Sequence, residues 1–132
     1  AGIIDCVATD HAPHAIEDKE KDIYHAPCGM IGMESAFGLV NKTLKKTKMS
    51  TKSIIDLFTI NPSKILNIKP NVIKEGNIAE INIINPDCRW VFEKHNIKSK
   101  SMNTPILGME LVGKVVVTIN KGFISNCKSP KS

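Results

Sequence analysis

The sequence predicts an α/β fold: the last strand–helix unit of a larger α/β structure, a barrel, followed by a small all-β unit. Three observations predict it. The run Ile3-Ile4-Asp5-Cys6-Val7-Ala8-Thr9 is apolar, β-prone and ends at Asp10; such content suits a strand buried on both faces, as in a parallel sheet. A polar stretch interrupted by Pro13, Pro27, Gly29 and Gly32 comes next, and then apolar residues at helical spacing. After Lys69-Pro70 the apolar period shortens to that of strands. The expected boundary lies near residue 68, with residues 1–67 as the barrel portion and 68–132 as the all-β portion.

Taken in order, the elements are these. Residues 3–9 form the strand. Residues 10–32 form a long loop, and long loops inside compact domains usually carry function. Met33, Phe37, Val40 and Leu44 mark a helix from about Met33 to Thr47. Ser50 caps a second helix carrying Ile54, Ile55, Leu57 and Phe58, and Asn61-Pro62 opens a third that ends near Leu66. Ile78, Ile81, Ile83 and Ile84 read as one strand, Trp90 to Phe92 as another and Leu111 to Ile119 as a third. Asn120-Lys121-Gly122 is a tight turn into a last strand, Phe123 to Ser125. Trp90 and Phe92 are expected in the core of the β unit. A single buried parallel strand needs partners for its backbone and for both faces. The chain is therefore expected to be truncated at its N-terminus.

Composition narrows the function. An apolar fraction of 42% and a charged fraction of 23% over 132 residues are those of a globular domain. No apolar run approaches the ~20 residues that span a bilayer, and Ala1-Gly2-Ile3-Ile4-Asp5 has neither the basic start nor the cleavage site of a signal peptide. The formal charge of +5 rests on scattered lysines and a single arginine, Arg89. The one dense cluster, Lys42, Lys45, Lys46 and Lys48, falls on the polar side of a helix and reads as a solvated face, not a nucleic-acid patch. Cys6, Cys28, Cys88 and Cys127 form no C-x-x-C pair. Reduced, mostly buried thiols and a cytoplasmic location are expected, with no nucleic-acid or membrane partner.

The chemistry is concentrated in Thr9-Asp10-His11-Ala12-Pro13-His14. An Asp at the C-terminal end of a barrel strand sits where such barrels place catalytic groups. Asp and His are ordinary zinc ligands, and a carboxylate beside a metal-bound water can also move protons. The alternative stays open on spacing alone: an Asp after a strand is often a turn former, and loop histidines are usually solvated.

The run Ala8-Thr9-Asp10-His11-Ala12-Pro13-His14, with Glu17-Asp18-Lys19 and Ala26-Pro27-Cys28-Gly29-Met30-Ile31-Gly32-Met33-Glu34-Ser35 after it, resembles the dihydroorotase signature. It is similar to the bacterial type and to the dihydroorotase domain of the multifunctional animal protein. Asn61 to Ile65, Gly76 to Ile81, Lys100 to Pro105 and Gly113 to Val116 resemble downstream elements shared with dihydropyrimidinases and allantoinases. The resemblance implies a distorted (β/α)8 TIM-like metal-dependent hydrolase barrel with a small composite β-sandwich, and one or two zinc ions per site. It implies that Asp10 ligates one metal and carries a proton in the reversible closure of N-carbamoyl-L-aspartate to L-dihydroorotate, a step of pyrimidine biosynthesis. It implies that His14 binds the substrate carboxylate and that backbone groups of Pro27, Cys28 and Gly29 contact the ring.

His11 is expected to orient the loop behind the metal site; His25 and His95 are expected at the surface, and a catalytic role for the Cys28 thiol is not expected. The family's His-x-His pair, carboxylated lysine and further histidines have no counterpart here, so the chain alone is expected neither to bind zinc tightly nor to be active. A homodimer, or association with aspartate carbamoyltransferase, is the partner expectation. Other cyclic amidohydrolases, of allantoinase or hydantoinase type, and a non-catalytic scaffold subunit are the rival readings. His14 argues against the first rival, and Asp10 with His14 against the second.

Overall fold

The structure, a computed structural model, describes residues 3–126. Its order is a one-turn helix α1 (Ile16–Lys19), helices α2 (Ala36–Lys45), α3 (Thr51–Asp56) and α4 (Ile60–Ile65), strand β1 (Glu80–Val91), a 3₁₀ turn (Lys94–Asn96), β2 (Glu110–Asn120) and β3 (Phe123–Asn126). No helix among these residues is long and apolar enough to cross a membrane.

The three strands form one antiparallel sheet in the order β1-β2-β3. The tight turn expected at Asn120-Lys121-Gly122 is present as a two-residue loop, with Asn120 paired to Phe123; Lys121 and Gly122 have φ of 48° and 90°, as the tight turns matched to strand twist require. The two strands expected at 78–84 and 90–92 are one strand. β1 runs through Pro86, and its register against β2 shifts between Ile83 and Ile84 and again between Asn85 and Arg89. Proline has no N–H to give to the ladder, so the pairing breaks at Pro86 and resumes at Arg89. That interruption divides the apolar pattern in the sequence without ending the strand.

Two further expectations differ. Residues 3–10 carry no strand, and Ile3 and Ile4 are 85% and 74% exposed. A parallel strand forms only by exchanging hydrogen bonds with neighbours. This segment is held by single bonds from Val7 N–H to Leu57 O (3.0 Å) and from Asn61 Nδ2 to Asp5 O (2.8 Å). The first long helix starts at Ala36, not Met33, after a turn closed by Ala36 N–H on Gly32 O (2.8 Å). The cap at Ser50 is as expected, its Oγ accepting from Ser53 N–H at 3.1 Å.

The core lies where α2 packs on the sheet. Phe92, Ile106 and Leu111 are buried, with Leu39, Trp90, Ile97 and Leu107 against them; burial stabilises each large apolar side chain by about 1.5–3 kcal/mol. Trp90 and Phe92 meet edge to face at 5.9 Å. Helix and sheet approach closely at Gly38, where a Cβ would stand 3.0 Å from Leu111 Cβ and 3.1 Å from Gly113 O. One turn on, fully buried Asn41 donates from Nδ2 to Pro86 O (2.9 Å) and Val112 O (2.8 Å). It gives a carbonyl of each of the two paired strands a donor from the helix. The lysine face is less free than expected: Lys42 bonds Glu110 O, and Lys45 bonds Pro86 O and the Asp87 carboxylate. These lysines fasten α2 to β1 and β2.

The cysteines also differ from expectation. Cys28 is exposed and Cys6 and Cys88 are half-buried, all three as free thiols, and Cys127 lies outside the described residues.

Candidate functional site

The long loop folds back on itself as two walls. Residues 10–14 run beside residues 27–32, joined by Ala12 N–H on Met30 O (3.0 Å) and a parallel bridge between His11 and Met30. Asn103, from the segment after the 3₁₀ turn, ties both walls together. Its Nδ2 donates to Ala12 O (2.9 Å) and Gly29 O (3.3 Å), its Oδ1 accepts from His14 N–H (3.2 Å), and its carbonyl accepts from Ile31 N–H (3.1 Å). Ser101 Oγ sits against Asn103 Oδ1 (2.6 Å) and His14 O, with one proton to place between them.

Asp10 is exposed, and its φ of 44° is in the left-handed region. For a residue other than glycine that conformation costs about 1–2 kcal/mol, and it persists only where the surroundings hold it. No hydrogen bond or ion pair among the described residues occupies its carboxylate.

His11, by contrast, is fully engaged. Its Nδ1 accepts from the backbone N–H groups of Gly32 (3.1 Å) and Met33 (3.3 Å). Both partners can only donate, so Nδ1 carries no proton and Nε2 does. Nε2 faces Ser99 Oγ at 3.4 Å. Ser99 Oγ in turn donates to Glu34 Oε1 at 2.5 Å, where the N–H groups of Ser99 (2.7 Å) and Lys98 (3.0 Å) also converge. Burial pushes the Glu34 carboxyl up, but bonds from Ser99 Oγ and from nearby N–H groups outweigh it and hold the group below its ordinary value. Its second oxygen, Oε2, is buried without a hydrogen-bond partner among the described residues.

His14 is half-buried, and its Nε2 donates to Cys28 O at 3.0 Å. Lys19, from α1, donates to Pro27 O (2.7 Å) and Gly29 O (3.2 Å). All three carbonyls of the 27–29 loop are thus already bonded to protein donors. The Cys28 and Gly29 N–H groups are not engaged by any described residue and remain free for a ligand. His14, Lys19, Gly29, Lys100, Met102 and Asn103 are among the residues lining an open cleft of about 880 Å³. With two lysines and a histidine on its walls, this cleft suits an anionic ligand of small-molecule size.

Of the residues singled out in the sequence, His14 and Gly29 line the cleft, while Asp10, His11, Pro27 and Cys28 do not. His11 stands behind the loop and Asp10 on its exposed rim. His25 and His95 are at the surface, each beside an acidic neighbour, Asp22 and Glu93. Lys19, Glu34, Ser99, Ser101 and Asn103 were not singled out. Glu34 and the Lys100 to Pro105 segment stood only within family-like runs, and no local spacing could pair them with residues 11–14, since Ser99 is 88 positions from His11 and Asn103 is 91 from Ala12.

A zinc ion needs about three protein ligands in good geometry. Among the described residues no group of three or more His, Cys, Asp or Glu side chains is placed to hold a metal. Asp10 offers one carboxylate, and both nitrogens of neighbouring His11 are occupied. The donor set of the described residues does not by itself fit zinc.

The chain is of mixed α/β build and carries an aspartate and histidines together on one long loop. The amidohydrolase family model matches residues 1–124; the chain belongs to the amidohydrolase family. It is 44% identical over 124 residues to a dihydroorotase of Sulfurihydrogenibium sp. (strain YO3AOP1), covering 94% of this chain and 29% of that protein. It is 41% identical over 121 residues to a dihydroorotase of Aquifex aeolicus (strain VF5), covering 92% and 28%. With a dihydroorotase of Thermoanaerobacter sp. (strain X514) it shares 43% over 132 residues, covering 99% and 30%. In fold it is similar to a D-hydantoinase (TM-score 0.77, 19% identity, 93% of this chain and 28% of that one). It is similar too to the D-hydantoinase of Bacillus sp. AR9 (TM-score 0.74, 20% identity, 93% and 29%). The chain spans less than a third of the length of these proteins.

Proposed function

We propose that this chain works as the C-terminal portion of a dihydroorotase, in which residues 1–67 complete a (β/α)8 barrel and residues 68–132 form part of a β-sandwich. The observation that carries the reading is the double-walled loop at residues 10–32. It leaves the Asp10 carboxylate uncommitted at one end and His14 on a basic cleft at the other. Identity of 41–44% to dihydroorotases over nearly the whole chain supports the substrate. The exposed Ile3 and Ile4 support further strands beside residues 3–9, because an apolar run of this kind is stable only when covered.

In this reading Asp10 is the proton-carrying carboxylate and one metal ligand, and the zinc draws its other ligands from outside the described residues. During hydrolysis water adds its oxygen to the carbonyl carbon of the cyclic amide. Asp10 holds the proton that is released and delivers it to the ring nitrogen as the C–N bond breaks. In synthesis the carbamoyl nitrogen of N-carbamoyl-L-aspartate closes on the carboxyl carbon, Asp10 takes the proton that nitrogen loses and returns it to the departing oxygen, and the C–O bond breaks with release of water. His14 binds the substrate carboxylate, with Lys19 and Lys100 adding positive charge to the cleft, and the N–H groups of Cys28 and Gly29 contact the ring.

The test uses the whole protein that contains this chain, with N-carbamoyl-L-aspartate, allantoin and hydantoin as substrates. Asp10→Ala should lower turnover of carbamoyl aspartate by about 10²–10⁴-fold, the usual contribution of a positioned acid–base group. His14→Ala should raise KM for the same substrate. Turnover of hydantoin or allantoin without carbamoyl aspartate, or an Asp10→Ala protein at wild-type rate, overturns the proposal.

A further inference from the structure

We propose that Glu34, acting through Ser99 and the ring of His11, is the positioning residue for Asp10. The inference rests on the reading of Asp10 as the proton-carrying carboxylate, and it assigns a role to two residues which that reading leaves unused. Asp10 holds a left-handed backbone conformation that nothing in its own side chain secures. The side chain next to it in sequence is anchored at both ring nitrogens, so the peptide between residues 10 and 11 cannot rotate without breaking those anchors.

The direction of the chain of bonds is fixed from both ends. On one side, two backbone N–H groups must donate to Nδ1, leaving the ring proton on Nε2. On the other, a carboxylate oxygen that already receives two backbone N–H groups can only accept from Ser99 Oγ. The hydroxyl proton therefore points at Glu34, and the free lone pairs of Ser99 Oγ face His11 Nε2. From His11 Nε2 to Ser99 Oγ to Glu34 Oε1 each link pairs one donor with one acceptor, and such a chain of bonds favours one geometry; Glu34 Oε2 lies outside it, without a partner among the described residues. The chain of bonds joins Glu34, just before α2, to the segment before Ser101, and it meets residues 10–14 at His11.

Position matters for the kinetic signature. His14 is held separately, through Asn103 and Cys28, so loss of the relay should move Asp10 and leave the substrate-binding end in place. In the whole protein, Ser99→Ala should lower kcat by about 10- to 100-fold, the usual cost of removing a group that orients a ligand residue, with KM for carbamoyl aspartate unchanged. Ser99→Thr, which keeps the hydroxyl, should restore kcat. Nitrogen-15 spectra of the His11 ring in the unmodified protein should show the proton on Nε2.

The arms separate the failures. If Asp10→Ala keeps its turnover, the reading of the site fails. If Asp10→Ala loses turnover while folded Ser99→Ala matches wild type, the relay fails and the reading stands. A Ser99→Ala protein altered in KM alone, or a Ser99→Thr protein as slow as Ser99→Ala, overturns the relay. Should Ser99→Ala not fold, the ring spectrum decides, and a proton on Nδ1 overturns the proposal without any variant.

Discussion

Replacing Gly29 by alanine tests whether the two walls of the loop at residues 10–32 are as closely packed as the structure has them. Gly29 has φ of 106°, and a Cβ added there would stand 2.6 Å from Ala12 Cβ on the facing wall. Backbone in this region costs a non-glycine residue about 1–3 kcal/mol. Carbon atoms in contact prefer about 3.5–4.0 Å, so the walls must also separate by roughly 1 Å. That movement strains the bonds to Gly29 O from Lys19 and Asn103, each worth about 0.5–1.5 kcal/mol. Together the loop should open more easily by about 2–4 kcal/mol. The reporter is the Ala12 amide, which bonds across the walls to Met30 O. Its hydrogen exchange should speed up by roughly 30- to 700-fold, at tenfold per 1.4 kcal/mol. Gly108→Ala is the matched control: its φ is 80°, and a Cβ there meets nothing within 4 Å. It should cost only the backbone term, about 1–2 kcal/mol, and leave Ala12 exchange unchanged. An unchanged Ala12 rate in Gly29→Ala, or an equal rise in both variants, would refute the close packing of the walls.

Two further outcomes follow from the packing and the charges. Asn41→Ala removes the side-chain donor of Val112 O and one of the two donors of Pro86 O, which keeps Lys45 Nζ, a loss of about 1–3 kcal/mol. Thermal unfolding should then come about 3–10 °C earlier for a chain of this size, and a shift of under a degree would show that the Asn41 bridge is dispensable. Glu34 gives a pH dependence. Its folded pKa lies below the ordinary value of 4.5, so its contribution is present above that value and is lost as pH falls through the lower folded one. Below pH 4.5 the wild-type protein should therefore lose stability relative to Glu34→Gln. Asp18, held low by its hydrogen bond from Lys21, and Asp22, held low by His25, titrate in both proteins and cancel. Parallel acid-unfolding curves for the two proteins would remove Glu34 from the clamp.

Much of the fold could be read locally because its signals are local. The Ser50 cap acts on a residue three positions on, and the Lys121-Gly122 turn needs only positive φ at two neighbours. Where the reading failed, the missing information was tertiary. The apolar run at 3–9 has the composition of a strand, but a strand is a relation between segments, and composition does not say which neighbour supplies the ladder. Pro86 divided the pattern of β1 because proline weakens pairing locally, while the strand continues beyond it through the register shift. Lys42 and Lys45 looked solvated because helical spacing gives only the face. It does not show that the backbone of Glu110 and Pro86 lies opposite.

The same division runs through the site, and it explains why Asp10 and His14 could be picked out while Glu34 could not. Groups that meet a ligand must stand together at one opening, and a tight loop can present them within five consecutive residues. Groups that hold such a loop in place must come from elsewhere, since a segment cannot be braced by itself. Glu34 precedes α2, and Ser99 and Asn103 follow the 3₁₀ turn, yet their hydrogen bonds converge on residues 11–14 and 29 from opposite sides of the loop. The bracing is divided as the chemistry would require. The Glu34–Ser99 arm ends one residue from the carboxylate proposed to move the proton, and the Asn103 arm ends on the backbone of the histidine that lines the cleft. On the proposed roles, two separate arms would let the proton-carrying end and the substrate-binding end of one short loop be set separately. The kcat and KM effects of Ser99→Ala and His14→Ala are therefore expected to separate.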